Sequence, residues 1–281
     1  MDSVRLGLEA AGKHPPPIDE QGLPTFPEPE WLKIGVDRTI IRGLQRRTNL
    51  PGLLRISTYS GLLGVFGGLT VWADPFWLKA VFFVVYSTVF AFSEPILHET
   101  HHRTPFRNNT LNEAVHYIAG LLVFKEPVRD RWLHAAHHTY TYYSDIDPEI
   151  QTERPPNLWT IGLDMFRLRY VPVWVLSTVR NAFSPLASID PLARSWVPLS
   201  ERRKMVWSAR ACVAFYFAVI GLAVAMESWY PIFFIFVARF VGAGLHSFVG
   251  LPQHAGLVEN TDDWRQNTRT ILVNPFTRLF Y

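Results

Sequence analysis

The stretch that decides the fold is AVFFVVYSTVFAFSEPILHETHH, residues 80–102, in which a long uncharged apolar run ends in three closely spaced histidines. Three further apolar runs occur at residues 58–73, 211–226 and 229–251, and only the last contains an arginine. A bilayer core roughly 30 Å thick requires about 20 helical residues. Because the flanks of the runs are also apolar, each run is predicted to cross a membrane as a helix.

The four runs form two pairs, each joined by a very short turn, at residues 73–75 and 227–231. This pairing disfavours the competing interpretation that the runs are buried core helices of a soluble protein. We therefore predict an all-α integral membrane fold with four transmembrane helices in two hairpins. The predicted helices cover approximately residues 57–74, 76–97, 207–226 and 229–250.

The distribution of basic residues predicts the orientation. Neither turn contains lysine or arginine, whereas basic residues gather before the first run, after the second and before the third. The positive-inside bias then places the N-terminus, residues 98–206 and the C-terminal tail in the cytoplasm. The net charge of +3 is explained by this orientation signal, and we expect no nucleic-acid partner. Arg239, within the fourth run, is expected to pair with Glu227 or to extend to the bilayer surface.

The N-terminal residues 1–50 include a Pro-rich, charged stretch, which predicts a cytoplasmic, partly disordered tail and not a signal sequence. Residues 51–281 form the expected membrane domain. The single cysteine, Cys212, excludes a disulfide framework within the chain. It also excludes a built-in iron–sulfur centre, which needs several thiolates.

Eight of the ten histidines fall in three places that this topology brings to one membrane face. They are His98, His101 and His102 after the second run, His134, His137 and His138 in the sequence HAAHH, and His246 and His254 near the end of the fourth run. Residues at i and i+4 on a helix share a face, so His98 and His102 can bind one ion. The HAAHH histidines can serve the same ion or bridge two. Imidazole ligands suit Zn, Cu, Fe or Ni, which leaves the metal open. His101 and His116 are expected to be hydrogen-bonded or solvated.

The sequence HETHH also matches the zinc-protease motif H-E-x-x-H, with His98 and His102 as ligands and Glu99 as the base. A zinc protease needs one further ligand and an open position for water, and it would leave most of the HAAHH histidines and His254 unexplained. A membrane haem protein is a second alternative. Its axial histidines would face each other from different helices near the middle of the membrane, whereas the histidines of this sequence cluster at one end of the predicted helix bundle.

Two segments, HETHHRTPFR (98–107) and HAAHHTYTYYSDIDPE (134–149), resemble the first and second histidine boxes of the membrane fatty acid desaturase superfamily, of the bacterial type. The segment LPQHAGLVENTDDWRQNTRT (251–270) is similar to the region after the fourth membrane helix of that family, where one more ligand lies. The resemblance covers roughly residues 55–281. It implies a helical cytoplasmic cap that carries the boxes, two iron ions, O2 activation and removal of hydrogen from an unactivated C–H bond.

The resemblance also implies roles for individual residues. The implied iron ligands are His98, His102, His134, His137, His138 and His254, with His101 and His246 as additional candidates. Candidates for carboxylates that hydrogen-bond the ligands and fix their tautomers are Glu99, Asp145, Asp147 and Glu149. A helical stretch between His246 and His254 would turn the first of these rings away from the second.

One departure from the family pattern concerns the third box, H-x2-H-H, which the family carries in its C-terminal cytoplasmic segment. No histidine follows His254 in this sequence. Two irons held in this style take more histidine ligands than those implied here. We therefore expect the chain to be a fragment of a longer product that ends before the third box, and inactive if so, with a natural truncation that impairs the site as the alternative.

The resemblance further implies desaturation of a lipid acyl substrate in the bacterial inner membrane, with hydroxylation or ketolation as the alternative within the superfamily. The sequence shows no haem-binding domain, nucleotide-binding glycine motif or cysteine cluster. The two electrons for each turnover are therefore expected from an external ferredoxin-like or cytochrome-b5-like donor. The basic cytoplasmic face suits an acidic partner of this kind.

Overall fold

A computed structural model of the chain describes residues 17–144, 146–150, 155 and 157–275. Within these residues the regular elements are all helical, apart from an isolated β-bridge. The first six helices are α1 (Arg38–Leu44), α2 (Leu50–Trp72), α3 (Phe76–Ala91), α4 (Ser93–His101), α5 (Asn109–Val123) and α6 (Pro127–Thr139). They are followed by α7 (Leu158–Met165), α8 (Tyr170–Phe183), α9 (Pro191–Trp196), α10 (Leu199–Ala225), α11 (Tyr230–Ile232), α12 (Ala238–Gly250) and α13 (Trp264–Asn267).

Three helical stretches of the described chain are long and apolar enough to cross a membrane, namely Phe76–His101, Leu199–Ala225 and Tyr230–Gln253. The first consists of α3 and α4, and the third contains α11, a π-helical turn (Phe233–Val237) and α12. Helix α2 has 23 residues, but its glycine, serine and threonine residues dilute its apolar character and it does not qualify. The protein is therefore an all-α integral membrane protein, and a fourth span at α2 remains a prediction.

Helix α2 packs against α3 and reaches both ends of the α3–α4 stretch. Near the end of α4, the Asn49 side chain at the start of α2 accepts a hydrogen bond of 2.9 Å from the backbone N–H of Asn108. Near the start of α3, the Lys79 ammonium donates to the carbonyl of Val71 at 3.3 Å. The two helices therefore lie side by side and antiparallel over their length.

A close backbone contact joins the two hairpins. A Cβ added to Gly242 of α12 would lie 1.7 Å from the carbonyl oxygen of Ser87 on α3, so this crossing requires glycine. Beside it, the rings of Tyr86 and Phe234 have centroids 4.8 Å apart. The contact holds the helix that ends in HETHH against the last long helix.

The membrane helix that carries the first histidines is interrupted at Phe92, between α3 and α4. Pro95 has no amide hydrogen, so the regular helical hydrogen bond to the carbonyl of Ala91 cannot form. Beyond the interruption, Glu94 and His98 are four residues apart and lie on the same face of α4.

The segment between the hairpins contains α5 and α6, and α6 carries the HAAHH histidines. The Asn108 side chain accepts a hydrogen bond from the N–H of Thr110 at 2.8 Å and begins α5. The Glu126 side chain accepts from the N–H of Arg129 at 2.7 Å and begins α6. Both are side-chain caps of helix N-termini. Phe124, with φ of +64°, turns the chain between the two helices.

Part of the predicted N-terminal tail contacts this segment. The indole N–H of Trp31 donates to the carbonyl of Thr139 at the end of α6 at 3.1 Å. The indole N–H of Trp264 donates to the carbonyl of Leu32 at 2.9 Å. Residues before position 50 therefore lie against the helix of the second histidine group, and the division of the chain at residue 50 remains a prediction.

Candidate metal centre

Four histidines converge where α4 and α6 end. His98 and His102 come from the end of α4, and His134 and His138 come from α6. One ring nitrogen of each lies within 4.8 Å of those of the others. His134 is buried and the other three are exposed, so the cluster lies at the boundary between the protein interior and solvent. The i, i+4 spacing within each pair is what aims both rings at one point.

The distances between the ring nitrogens fit a shared metal ion. Nε2 of His134 is 3.0 Å from Nε2 of His102 and 3.1 Å from Nε2 of His138. Two imidazoles bound at right angles to one ion, each about 2.1 Å from it, would have their nitrogens ~3.0 Å apart. Nδ1 of His134 is 3.1 Å from the Glu149 carboxylate and holds the ring proton there. The lone pair on Nε2 of His134 is therefore directed toward the other rings.

The environment favours the neutral form of two members of the cluster, His102 and His138. Burial, together with repulsion between His134 and its neighbours, lowers the pKa of His102 to about 4. The same causes lower the pKa of His138 to about 3. Because neutral imidazole is the form that binds a metal ion, little proton competition is expected at neutral pH.

A second pair of histidines, His137 and His254, lies beside the cluster with ring centroids 5.5 Å apart. Nδ1 of His137 donates to the buried Asp147 carboxylate at 2.8 Å, and Nδ1 of His254 donates to the carbonyl of Asn267 at 2.9 Å. Both rings therefore leave Nε2 for an ion, which is the arrangement typical of ligating histidines. Burial opposes charging of the His137 ring, but the hydrogen bond to Asp147 and the negative charges of Asp147 and Glu149 together outweigh this effect and raise the pKa of His137.

His101 and His246 contact carboxylates beside the cluster. Nε2 of His101 is 3.0 Å from Oδ2 of Asp130, and its ring stacks on that of His134 with centroids 4.6 Å apart. Nδ1 of His246 is 3.5 Å from Oε2 of Glu94. Both rings are near the candidate ligands without joining the four-histidine group, and their role as ligands remains a prediction.

His116 is a buried, hydrogen-bonded side chain, as expected. The hydroxyl of Thr100 lies 3.1 Å from its Nδ1, and the carbonyl of Pro127 accepts from its Nε2 at 3.0 Å. Both nitrogens are therefore occupied, and the ring ties the end of α4 to the start of α6.

The candidate carboxylates take different positions. Asp147 is fully buried and, besides His137, accepts hydrogen bonds from the N–H groups of Tyr142 and Glu149 at 2.8 and 2.9 Å. Burial would raise the pKa of the Glu149 carboxyl, but its hydrogen bond to His134 and the charge of Lys125 lower that pKa to about 2. Glu149 is therefore held in the charged form, and both carboxylates accept the Nδ1–H that fixes a histidine tautomer.

The other two candidates are less closely tied to the cluster. Oε1 of Glu99 is 3.7 Å from Nδ1 of His98, and its second oxygen accepts from the hydroxyl of Thr104 at 3.1 Å. Asp145 lies outside the residues that the structure describes.

An ion-pair bridge connects the two histidine-bearing helices. Glu113 of α5 accepts from Nε of Arg103 at 2.8 Å and from Nη1 of Arg131 at 2.9 Å. Arg103 directly follows His102, and Arg131 lies three residues before His134. One carboxylate therefore positions both groups of ligands relative to each other.

A charged cluster inside the bundle was not predicted from the sequence. Arg239 does not pair with Glu227 or extend to the bilayer surface, because its Nη2 is 2.5 Å from Oε2 of Glu94 and its side chain is fully buried. Arg167 and Lys125 also contact Glu94. The sequence contains a sign of this pairing. Glu94 directly follows one apolar run and Arg239 lies within another, and a charge inside a membrane bundle requires a partner of opposite charge.

A cavity of about 1390 Å³ joins these features. It is lined by histidines of both groups and by charged residues of the Glu94 cluster on one side. On another side its wall is apolar and includes Ile56, Leu97, Phe106 and Val115. The cavity is large enough for a small-molecule ligand that reaches the histidines.

Comparison with known proteins identifies the family. No curated protein matches the chain significantly. The family model described as "Fatty acid desaturase" matches residues 75–281, which is most of the chain and includes all three groups of histidines. On this match, the chain belongs to the fatty acid desaturase family, whose members are oxidoreductases.

Proposed function

We propose that the protein is a membrane-bound, O2-dependent di-iron desaturase that introduces a double bond into a fatty acyl substrate. The convergence of His98, His102, His134 and His138 carries the proposal. A zinc protease would take two of its ligands from HETHH and would place Glu99 beside a water-bearing ion. Here α6 contributes two further imidazoles to the same cluster, which is more than that site uses.

The described histidines provide more ligands for one metal ion than for a second. His98, His102, His134 and His138 would hold the first ion. His137 and His254 would contribute to the second, for which His101 and His246 are the remaining candidates. Two irons, when bound, supply the O2 activation that breaking an unactivated C–H bond requires and that redox-inert zinc does not offer.

The reaction balances with one external donor of electrons. One acyl chain, one O2, two electrons and two protons give one alkene and two waters. Asp147 and Glu149 would hold protons at Nδ1 of His137 and His134, so that both Nε2 atoms stay available to the ions. The apolar wall of the cavity suits an acyl chain. The electrons would come from an acidic ferredoxin-like or cytochrome-b5-like protein.

The proposed location follows from the same topology. We infer a multi-pass protein of the bacterial inner membrane with its N-terminus and its histidines in the cytoplasm. The histidine cluster would then lie at the cytoplasmic rim of the bundle, where an acyl chain embedded in the bilayer meets the water boundary.

The first experiment is a measurement of iron and zinc per chain in detergent-purified protein expressed with iron in excess. At least one iron per chain, at the four-histidine group, is expected in the wild type and should be lost in His138→Ala, whereas two irons would show that the chain holds both ions without the third histidine box. The Arg203→Gln variant, which changes an exposed side chain of α10, serves as the control. Stoichiometric zinc in place of iron would overturn the proposal.

Analysis of the reaction products distinguishes desaturation from hydroxylation, the two oxidations proposed for this site. Wild-type protein is reconstituted with a reduced donor and O2, and the acyl products are identified by mass spectrometry. Loss of two hydrogens from the substrate is expected. Gain of one oxygen with the two irons present would reassign the enzyme as a hydroxylase of the same superfamily.

A further inference from the structure

A cluster of buried charges lies one helical turn from His98. At its centre, Oε2 of Glu94 is 2.5 Å from Nη2 of Arg239 and 3.1 Å from Nη2 of Arg167. Oε1 of Glu94 is 3.8 Å from Nζ of Lys125. The Arg239 side chain is fully buried, and no other side chain of this cluster exposes more than 18% of its surface.

Positive charge exceeds negative charge in this cluster. Lys125 also contacts Asp130, at 3.3 Å, so three permanently charged cations face two carboxylates through direct contacts. Glu149, which is also negatively charged, acts on Lys125 from a greater distance, so the excess of positive charge among the direct contacts lies at Arg167 and Arg239, which share Glu94. An uncompensated charge in a low-dielectric interior is unfavourable, and a bound anion would relieve it.

The cations also retain donors that the described residues do not satisfy. Nε of Arg167 is buried and meets no acceptor among the residues that the structure describes, and the same holds for Nε and Nη1 of Arg239. Buried donors normally find partners. A guanidinium is well matched to a carboxylate, which accepts charge-assisted hydrogen bonds from it.

The cluster opens into the cavity that holds the histidines. Glu94, Lys125 and Arg167 line this cavity together with His98 and with His134. A tunnel built only for the middle of a hydrocarbon chain would not place ionised groups on its wall, because apolar surface gains nothing from them. The charged wall therefore indicates a polar group on the molecule that binds here.

We propose that Lys125 and Arg167, with the charge of Arg239 behind them, form a subsite for the carboxylate of a free carboxylic acid. This inference rests on the proposed function for the identification of that acid as the substrate. Two guanidinium groups that share one carboxylate match one further singly charged oxyanion. The chain of the acid would then extend along the apolar wall of Ile56 and Leu97, past the histidines.

The test compares ligands of equal length and different head groups. Binding of hexanoate, hexan-1-ol and methyl hexyl phosphate is measured by calorimetry with the protein in lipid nanodiscs, as purified and after metal removal. Metal removal excludes binding of the carboxylate to the ions themselves.

Hexanoate is expected to bind at least about tenfold more tightly than hexan-1-ol in both preparations, in line with the strength of charge-assisted hydrogen bonds. Equal affinities for the two ligands would overturn the proposal. Tighter binding of the phosphodiester than of hexanoate would also overturn it and would indicate a phospholipid headgroup.

Two substitutions should shift the affinity for hexanoate in opposite directions. Arg167→Gln is expected to weaken binding about tenfold without affecting hexan-1-ol. Glu94→Gln removes a competing negative charge and is expected to tighten hexanoate binding, which a purely structural role of Glu94 would not do. Arg203→Gln, on the exposed face of α10, is the matched control. Thermal unfolding of each variant shows that it is folded, and Arg167→Lys replaces Arg167→Gln if the latter is not.

The outcomes separate this inference from the proposed function. Selective hexanoate binding in a protein that binds zinc or lacks oxidase activity would retain the subsite and reject the desaturase. Two irons and desaturation of acyl chains, without selectivity for hexanoate, would retain the desaturase and reject the subsite.

Discussion

At the scale of single residues, the orientation of three candidate ligands, His134, His137 and His254, depends on one acceptor at Nδ1. For His137 this acceptor is Asp147, which is fully buried and receives the ring N–H at 2.8 Å. We predict that Asp147→Asn weakens iron binding about 10–100-fold, because the amide no longer fixes the tautomer or strengthens the ligand. Iron retained after dialysis against graded chelator gives the affinity. Asp37→Asn, at the exposed start of α1, should behave as wild type, and equal retention in both variants would contradict the role given to Asp147.

Glu126 supplies a pH-dependent contribution to stability. The carboxyl is buried at the start of α6, and this burial raises its pKa from an ordinary value of 4.5 to about 7. Between these values the folded chain holds a proton that the unfolded chain has released, so this contribution to stability is full below pH 4.5 and is lost as the pH rises to about 7. The pKa difference corresponds to about 3 kcal/mol.

We therefore predict that Glu126→Gln is more stable than wild type at pH 7.5 and that the difference shrinks toward pH 4.5. The glutamine oxygen can still accept one of the two N–H groups, of Val128 and Arg129, that Glu126 caps through separate oxygens. Thermal unfolding of both proteins over this pH range provides the measurement. Glu201→Gln, at a partly exposed surface pair with Lys204, is the control. A difference that is independent of pH would show that Glu126 does not titrate in this range.

Residue-level prediction from the sequence succeeded where spacing encodes direction. The spacing predicted that His98 and His102 share one helix face and that His134, His137 and His138 share another. The structure groups four of these rings and leaves His137 beside them, next to His254. Spacing contains no information on partners from distant elements. The contact between Glu94 and Arg239, 145 residues apart, was therefore assigned to the wrong acidic residue.

At the scale of helices, the hydropathy pattern located the apolar runs but not the ends of the helices. Helix α10 begins at Leu199, although the run predicts a start near residue 207. Its first turns are polar and basic. A hydropathy pattern detects only the apolar part of a helix and not the polar turns that continue beyond the bilayer. The interruption at Phe92 was also missed, although Pro95 was a visible signal for it.

Close packing between helices depends on Gly242, where α12 touches the backbone of α3. A Cβ at this position would lie 1.7 Å from the carbonyl oxygen of Ser87. We predict that Gly242→Ala forces the helices apart at a cost of about 1–3 kcal/mol or more. Gly221→Ala on α10 is the matched control, because a Cβ there meets nothing within 4 Å. The midpoint of thermal unfolding in detergent should fall clearly for the first variant and little for the second, and similar midpoints would mean that the helices separate without cost.

At the scale of the whole molecule, the number of spans decides where the candidate centre lies. By length and composition, three helices of the described chain qualify as spans and α2 does not. Yet α2 lies along the entire α3–α4 stretch, with Asn49 bound near one end and Val71 near the other. A helix packed along the full length of a membrane-crossing neighbour has to cross the same hydrocarbon layer, where only a helix satisfies its own backbone.

We therefore predict that the two ends of α2 lie on opposite sides of the membrane. Leu44 and Trp72 are 81% and 80% exposed and lie just before and at the end of α2, which makes them a matched pair for labelling. Each is replaced by cysteine in a Cys212→Ser background, and spheroplasts are treated with a membrane-impermeant maleimide. The cysteine at position 72 should react in intact spheroplasts, and the one at position 44 only after lysis. Trp229→Cys, in the turn between α10 and α11, should react in intact spheroplasts as well.

If position 44 also reacts without lysis, α2 does not span the membrane, and the N-terminal segment lies outside the cell together with the two hairpin turns. The contact between Asn49 and Asn108, near the histidine cluster, would then not form in the membrane.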